Sequence, residues 1–203
     1  MSPGGDFHCS NCGAELPRRF SHAKMISCSH CGTTSLLRDE VWELAGEGGV
    51  MQDAPSLIEL GQEIDVEGLH LMPVGHARFS YGRGWWDEYW CLDGEGDGHW
   101  LSADEGDYAL ELPLAREDWP VNFRARIGTG ATIRGKDFHV VEAETATCLA
   151  VRGEFPEALE VGEAHLYFDL AGPDGRIATY EKWEGGEAWT HGVWIDAWDV
   201  RAL

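Results

Sequence analysis

Four of the six cysteines fall in two matched pairs near the N-terminus, and their spacing constrains the fold more than any other feature. Cys9-Ser10-Asn11-Cys12 and Cys28-Ser29-His30-Cys31 form C-x2-C-x15-C-x2-C. A CxxC turn is tight enough to aim two thiolates at one ion, and two such turns complete the tetrahedral sulfur shell that zinc favours. Gly13 and Gly32 directly follow the two pairs, where the chain often turns through positive φ. Residues 15–20 and 23–27 read as two short strands around a turn at Ser21-His22. Residues 1–40 are therefore expected to form a zinc ribbon with one Zn2+ held by Cys9, Cys12, Cys28 and Cys31. Four protein ligands leave no position open for water or substrate, so the expected role of the ion is structural. So short a segment buries little core, and metal binding would supply folding energy on the order of 10 kcal/mol. A redox role for the pairs fits less well, because no βαβ pattern surrounds them. His8 and His30 flank the ligands, but four cysteines already fill the shell.

Charge separates this segment from the rest. Residues 1–40 carry four basic and four acidic side chains, so the net charge of −21 sits wholly in residues 41–203, with 11 basic against 32 acidic residues. All ten tryptophans lie there too. Such a field repels phosphate backbones and speaks against general nucleic-acid binding; Arg18, Arg19, Lys24 and Arg38 of the ribbon make a poor footprint beside it. No apolar run reaches the roughly 18–20 residues of a membrane span. The first ten residues lack the basic-then-apolar order of an export signal. A reducing, cytoplasmic setting is expected, with cysteines as thiols or metal ligands. Residues 41–56 are rich in Gly and chain breakers and read as a linker.

Beyond the linker, clusters of Gly and Asp recur every 8–12 residues between short runs rich in Val, Tyr, Trp and Phe, the habit of antiparallel β-structure. The module also repeats itself. Gly61, Ile64, Val66, Gly68, Leu71 and Val74 fall on Gly128, Ala131, Ile133, Gly135, Phe138 and Val141 at an offset of 67. Further on, residues 88–94 match residues 166–172 at an offset of 78, setting Tyr89 on Tyr167. The changed offset implies an insertion in the second copy near residues 152–161. The expected fold is mainly β: an N-terminal four-cysteine zinc ribbon, then a duplicated antiparallel β-unit over residues 57–203, as small barrel or sandwich-like halves spanning about 57–120 and 121–203.

Strand alternation in residues 85–92 puts Trp86, Glu88, Trp90 and Leu92 on one face and Trp85, Asp87, Tyr89 and Cys91 on the other. Aromatics on both faces imply cover on both sides or contact with a partner. Trp85, Trp86, Glu88, Tyr89, Trp90 and Trp100 are the candidate binding surface, and the tail from Trp189 to Trp198 is the set expected to be most exposed. The acids Asp87, Glu88, Asp93, Glu95, Asp97, Asp104, Glu105 and Asp107, with His99, could supply paired carboxylates, though acids between strands more often sit in solvated turns. No nucleophile, metalloprotease or phosphate-loop motif appears. Cys91 and Cys148 read as small buried hydrophobes.

The ribbon, then Leu60-Gly61 and Val74-Gly75, the run Trp86-Asp87-Glu88-Tyr89-Trp90-Cys91-Leu92 and the pair Trp100-Leu101 resemble the bacterial family called domain of unknown function 4178. The likeness runs from Cys9 to about Trp198. It implies an accessory or regulatory protein whose partner is an aminopropyltransferase-like enzyme or a small membrane protein, and it brings no catalytic residues. Three functions follow as expectations. The first is a non-enzymatic adaptor joining proteins in a bacterial multi-gene system. The second is a binding protein for a cationic small molecule such as a polyamine, because ammonium groups gain from both carboxylates and tryptophan faces. The third is a hydrolase using the acids of residues 87–107.

Overall fold

A computed structural model describes residues 7–16, 18–38, 41–52, 54 and 56–203. Positions 1–6, 17, 39 and 40 of the expected ribbon, and positions 53 and 55 of the expected linker, lie outside the described residues. The chain is almost wholly β. The ribbon contributes β1 (Met25–Ser27), β2 (Thr33–Arg38) and β3 (Val41–Glu47). Then come β4 (Ile64–Val66), β5 (Leu69–Ser80), β6 (Trp85–Leu92), β7 (Gly98–Asp104) and β8 (Asp107–Pro113). A second run follows as β9 (Gly130–Ile133), β10 (Lys136–Phe155), β11 (Ala164–Ala171), β12 (Arg176–Trp183), β13 (Gly186–Ile195) and a short terminal β14 (Val200–Ala202).

Eight of these strands close on themselves. The order runs β5-β6-β7-β8-β13-β12-β11-β10, and β10 pairs back onto β5. All the pairings are antiparallel, so each copy contributes four neighbouring strands and the copies meet at two seams, β8–β13 and β5–β10. Closure removes the exposed edges that an open sheet of this composition would leave.

The duplication is visible in the register. Ile64↔Leu71 and Val66↔Leu69 in β4–β5 recur as Ala131↔Phe138 and Ile133↔Lys136 in β9–β10, each hairpin turning through two positive-φ residues, Glu67-Gly68 and Arg134-Gly135. These are two-residue turns whose twist suits antiparallel strands and whose second position favours glycine. Gly61 and Gly128 also correspond: each has φ near 80°, and their amides donate to Pro73 O and Val140 O, residues again 67 apart. Both long strands bulge at the same place, between Pro73 and Gly75 and between Val140 and Glu142.

One detail of the sequence alignment is corrected. Asp87↔Ala103 in β6–β7 becomes Leu166↔Lys182 in β11–β12, and the turn at Glu105-Gly106 becomes Glu184-Gly185. The offset is thus 79, and Tyr89 corresponds to Phe168 rather than Tyr167. Tyr89 and Phe168 both lie in cores on the outer face of the barrel, whereas Tyr167 lines its interior. A one-residue slip exchanges the faces of a strand, and matching tyrosine to tyrosine was misleading for that reason.

Each copy folds its short first hairpin over its own outer face. Val66, Leu71, Tyr89, Cys91 and Leu101 form one such core, and their counterparts Ile133, Phe138, Phe168, Leu170 and Tyr180 form the other. The third core joins the ribbon to the barrel interior, combining Leu16, Phe20, Met25 and Leu36 with Trp86, Trp90, Trp100 and Phe155.

Two readings of the N-terminal region are also corrected. The described residues of the expected strand at 15–20 do not run as one; the amides of Arg19 and Phe20 donate instead to the Glu154 carboxylate, at 2.8 and 2.7 Å. Residues 41–47, expected to begin a linker, are β3, paired with β2 from Arg38↔Val41 to Thr33↔Glu47. Beyond them the chain straps across the barrel, where Arg152 Nη2 and Arg78 Nη1 donate to the carbonyls of Met51 and Gln52.

Candidate functional site

The four ribbon cysteines converge. Their sulfur atoms all lie within 4.8 Å of one another, with Cys9–Cys31 at 3.6 Å and Cys12–Cys28 at 3.8 Å. Four sulfurs bound tetrahedrally at about 2.3 Å would sit about 3.8 Å apart. The two CxxC turns are copies: Gly13 N donates to Cys9 O and Gly32 N to Cys28 O, at 2.8 and 2.9 Å. Hydrogen bonds with Thr33, first its side chain and then its backbone, bring the Cys31 thiol down to about 6, which favours the thiolate that metals bind. The donor set therefore fits a metal ion, and a closed four-sulfur shell fits a structural one.

The second feature is a cavity of about 360 Å³ inside the barrel. Its walls follow from strand alternation: β6 turns Trp86 and Glu88 inward, β7 Trp100 and Ser102, and β8 Ala109 and Glu111, while β11 supplies Tyr167 and Asp169 and β12 Thr179 and Glu181. Among the described residues ten carboxylates line it, from Glu88 to Glu181, against one arginine and one histidine. The arginine, Arg83, faces out to Glu144 at 3.2 Å, and His165 lies 3.5 Å from Glu181.

The deepest acids are held by neutral groups. Trp86 Nε1 donates to Glu88 at 2.8 Å, and Thr190 Oγ1 donates to Glu111 at 2.8 Å. Thr179 Oγ1 lies 3.2 Å from Glu111 and 3.1 Å from Asp169. A hydroxyl has one proton, so it satisfies both carboxyls only if one of them is itself protonated. Burial pushes Glu111, Asp169 and Glu157 each up to about 7. Burial, with Glu181 nearby, raises Glu88 well above the usual carboxylate range. Desolvation disfavours the charged form, and like charges share the space. Among the described residues the cysteines are the group of His, Cys, Asp or Glu close enough to share one ion. The barrel acids are spaced for several separate contacts.

The duplication provides an internal control. At the positions of Glu88, Glu111, Asp169 and Glu181 the other copy carries Tyr167, Thr190, Trp90 and Ser102. The same strands and registers form with neutral residues there, so the fold does not require these acids.

The residues singled out as a binding surface are redistributed. Trp86, Glu88 and Trp100 line the cavity, and Trp90 is buried below it against Phe20, with ring centres 5.8 Å apart. Tyr89 lies in the outer core, bonded to Ser56 Oγ at 3.0 Å. Trp85 is exposed under the Arg78 guanidinium at 3.9 Å. The acids of residues 87–107 are divided: Glu88, Asp104 and Asp107 line the cavity, and Asp87 and Asp93 do not. Asp87 is paired outside the barrel with Arg78 at 2.7 Å and His76 at 2.9 Å, and these partners outweigh burial to hold its carboxyl below the usual range. Asp93 pairs with His99 at 3.1 Å in its own turn. Cys91 and Cys148 are buried, and burial pushes the Cys148 thiol up to about 12, too high for a nucleophile at neutral pH. The sequence reading missed Glu111, Glu157, Asp169 and Glu181. The legible signal was a single acid inside an apolar strand, as in Leu110-Glu111-Leu112 and Phe168-Asp169-Leu170.

No described helix is long and apolar enough to cross a membrane. No curated protein and no solved structure matches the chain. A family model described as domain of unknown function (DUF4178) matches residues 59–197, well over half the chain, from the first copy through the second. The chain thus belongs to the DUF4178 family, and in it a four-cysteine ribbon is joined to a duplicated barrel that spans the matched residues.

Proposed function

We propose that this protein binds a small organic cation inside the barrel, an amine with more than one ammonium group such as a polyamine, and that a zinc-loaded ribbon braces the barrel wall. The observation that carries this reading is the set of cavity carboxylates Glu88, Glu111 and Asp169, whose hydrogen-bond partners among the described residues are neutral and which the other copy replaces with neutral residues. Buried like charges are costly unless something compensates them. A cation would release that repulsion, and the faces of Trp86, Trp100 and Tyr167 add cation–π attraction. The volume lies at the small end of ligand pockets. Ammonium groups can also approach from bulk quickly, since the −21 charge steers cations inward.

The test is calorimetry with spermidine, putrescine and butylamine at pH 6 and pH 8. Binding is expected to tighten toward pH 8, as acids with pKa values of about 7 ionise, and to weaken in Glu111→Gln. Equal heats for all three amines and for sodium ions would end the proposal.

The adaptor role is a second reading, favoured by the exposed Trp194 and Trp198 near the C-terminus, at 52% and 85%. Aromatics so placed suit a protein partner. Affinity purification comparing the native chain with Trp198→Ala tests it; an unchanged partner list would remove its support. A cytoplasmic location is part of the same proposal, since four reduced thiolates require a reducing compartment.

A further inference from the structure

The second copy departs from the first in one insertion, and the ribbon and the cavity wall share it. In the first copy Ser80 and Trp85 close the β5–β6 hairpin; their counterparts Thr147 and Ala164 close β10–β11. Four residues between the strands thus become sixteen. The beginning of this insertion pairs with β5, completing the barrel, and its next part leaves the barrel for the ribbon. Glu154 and Phe155 pair with Ile26 and Met25. The Glu154 carboxylate accepts three hydrogen bonds from the amides of Arg19 and Phe20, between 2.7 and 3.0 Å. Lys24 N donates to Phe155 O at 2.9 Å, and Leu159 N reaches Met25 Sδ at 3.3 Å. The same insertion then turns Glu157, Leu159, Glu160 and Glu163 into the cavity wall.

The ribbon side of this junction depends on the cysteine site. β1 ends at Ser27, directly before Cys28, and the amides that cap Glu154, those of Arg19 and Phe20, lie seven and eight residues beyond Cys12, between the two cysteine pairs. A segment with so small a core holds its shape through its metal. Without it, the amides that receive Glu154 lose their positions, and the carboxylate regains water by leaving the junction.

We propose that the ribbon is a latch on the cavity: metal in the four-cysteine site holds residues 154–163 in place as a wall of the barrel interior. Its relevance to ligand rests on the cation-binding reading above. Metal occupancy and cation affinity are then linked, and each must strengthen the other by the same factor.

Hydrogen exchange on the full chain, before and after metal removal with a chelator, tests the latch without any ligand. Exchange of residues 154–163 is expected to rise at least 10-fold together with residues 7–38, while β7–β8 and β12–β13 keep their protection. An increase confined to residues 7–47, or a uniform increase over the whole barrel, overturns the proposal. Glu154→Gln, which keeps all four cysteines, is expected to lose metal to chelator about 3-fold to 10-fold faster; an unchanged rate also overturns it. Spermidine at saturation should slow metal extraction from the native chain. If spermidine binds but extraction is unaffected, the linkage fails and the cation site stands. If exchange shows the latch but spermidine does not bind, the latch stands and the cation reading fails.

Discussion

The two copies of the barrel unit share their register to the residue, yet they differ in what surrounds them. The first copy closes β5–β6 with a four-residue turn, and its Gly75 lies against the β10 arm: a Cβ there would come within 2.4 Å of Glu154 O. The second copy has Glu142 at the equivalent position, facing the cavity and accepting from Tyr167 OH at 3.1 Å. One repeat was extended to hold the ribbon, and the other kept a glycine where the extension passes. The difference teaches that register and bulges belong to the fold, while the insertion and the scattered acids vary between copies that share it. Conserving hydrogen-bond patterns while changing interior side chains is how one architecture serves many ligands.

The largest expected effect breaks the asymmetry at its origin. Cys28→Ser should lose the metal and lower the melting temperature by about 10 °C or more, measured by calorimetry alongside metal content, since the site supplies most of the ribbon's stability. Next, Gly75→Ala should cost about 1–3 kcal/mol by denaturant titration, because the added methyl meets a backbone carbonyl rather than a movable side chain. Glu142→Ala, at the matching position, should cost about 1 kcal/mol or less, the worth of one hydrogen bond. Equal costs would mean that the arm does not press on the first copy.

A third prediction concerns pH. A carboxyl whose folded pKa is raised favours the folded state less as pH rises, so stability is lost from about the unfolded value of 4.5 up through about 7 for Glu111. The ligand-free protein should therefore melt at lower temperature at pH 8 than at pH 5.5. Glu111→Gln should recover on the order of 2–3 kcal/mol at pH 8 and almost nothing at pH 3, where the carboxyl is protonated in both states. Thr190→Val, at the matching position of the other copy, should carry the loss to higher pH, since it removes the hydroxyl that donates to the Glu111 carboxylate and leaves burial to raise that group further. The smallest effect is at the surface: Trp198→Ala should change stability by about 0.5 kcal/mol or less, since that ring is mostly exposed.

Much of this was legible in the chain itself, because it is local. The C-x2-C pairs specify a four-sulfur site through turn geometry alone. The positive-φ pairs Glu67-Gly68 and Arg134-Gly135, with apolar alternation around them, specify hairpins and reveal the duplication. The burial of both faces of β6 was also readable from its aromatics. Tertiary structure decided the rest. Side-chain identity could not choose between offsets of 78 and 79, since only cross-strand hydrogen bonding states which residues face inward. Barrel closure depends on β5 meeting β10 and β8 meeting β13, pairs far apart in sequence that no local pattern announces. Residues 15–20 could have formed a strand by composition, but a carboxylate 135 residues away took two of their amides. Single acids in four separate strands became one buried cluster for the same reason: closing a sheet brings together side chains that the sequence keeps apart.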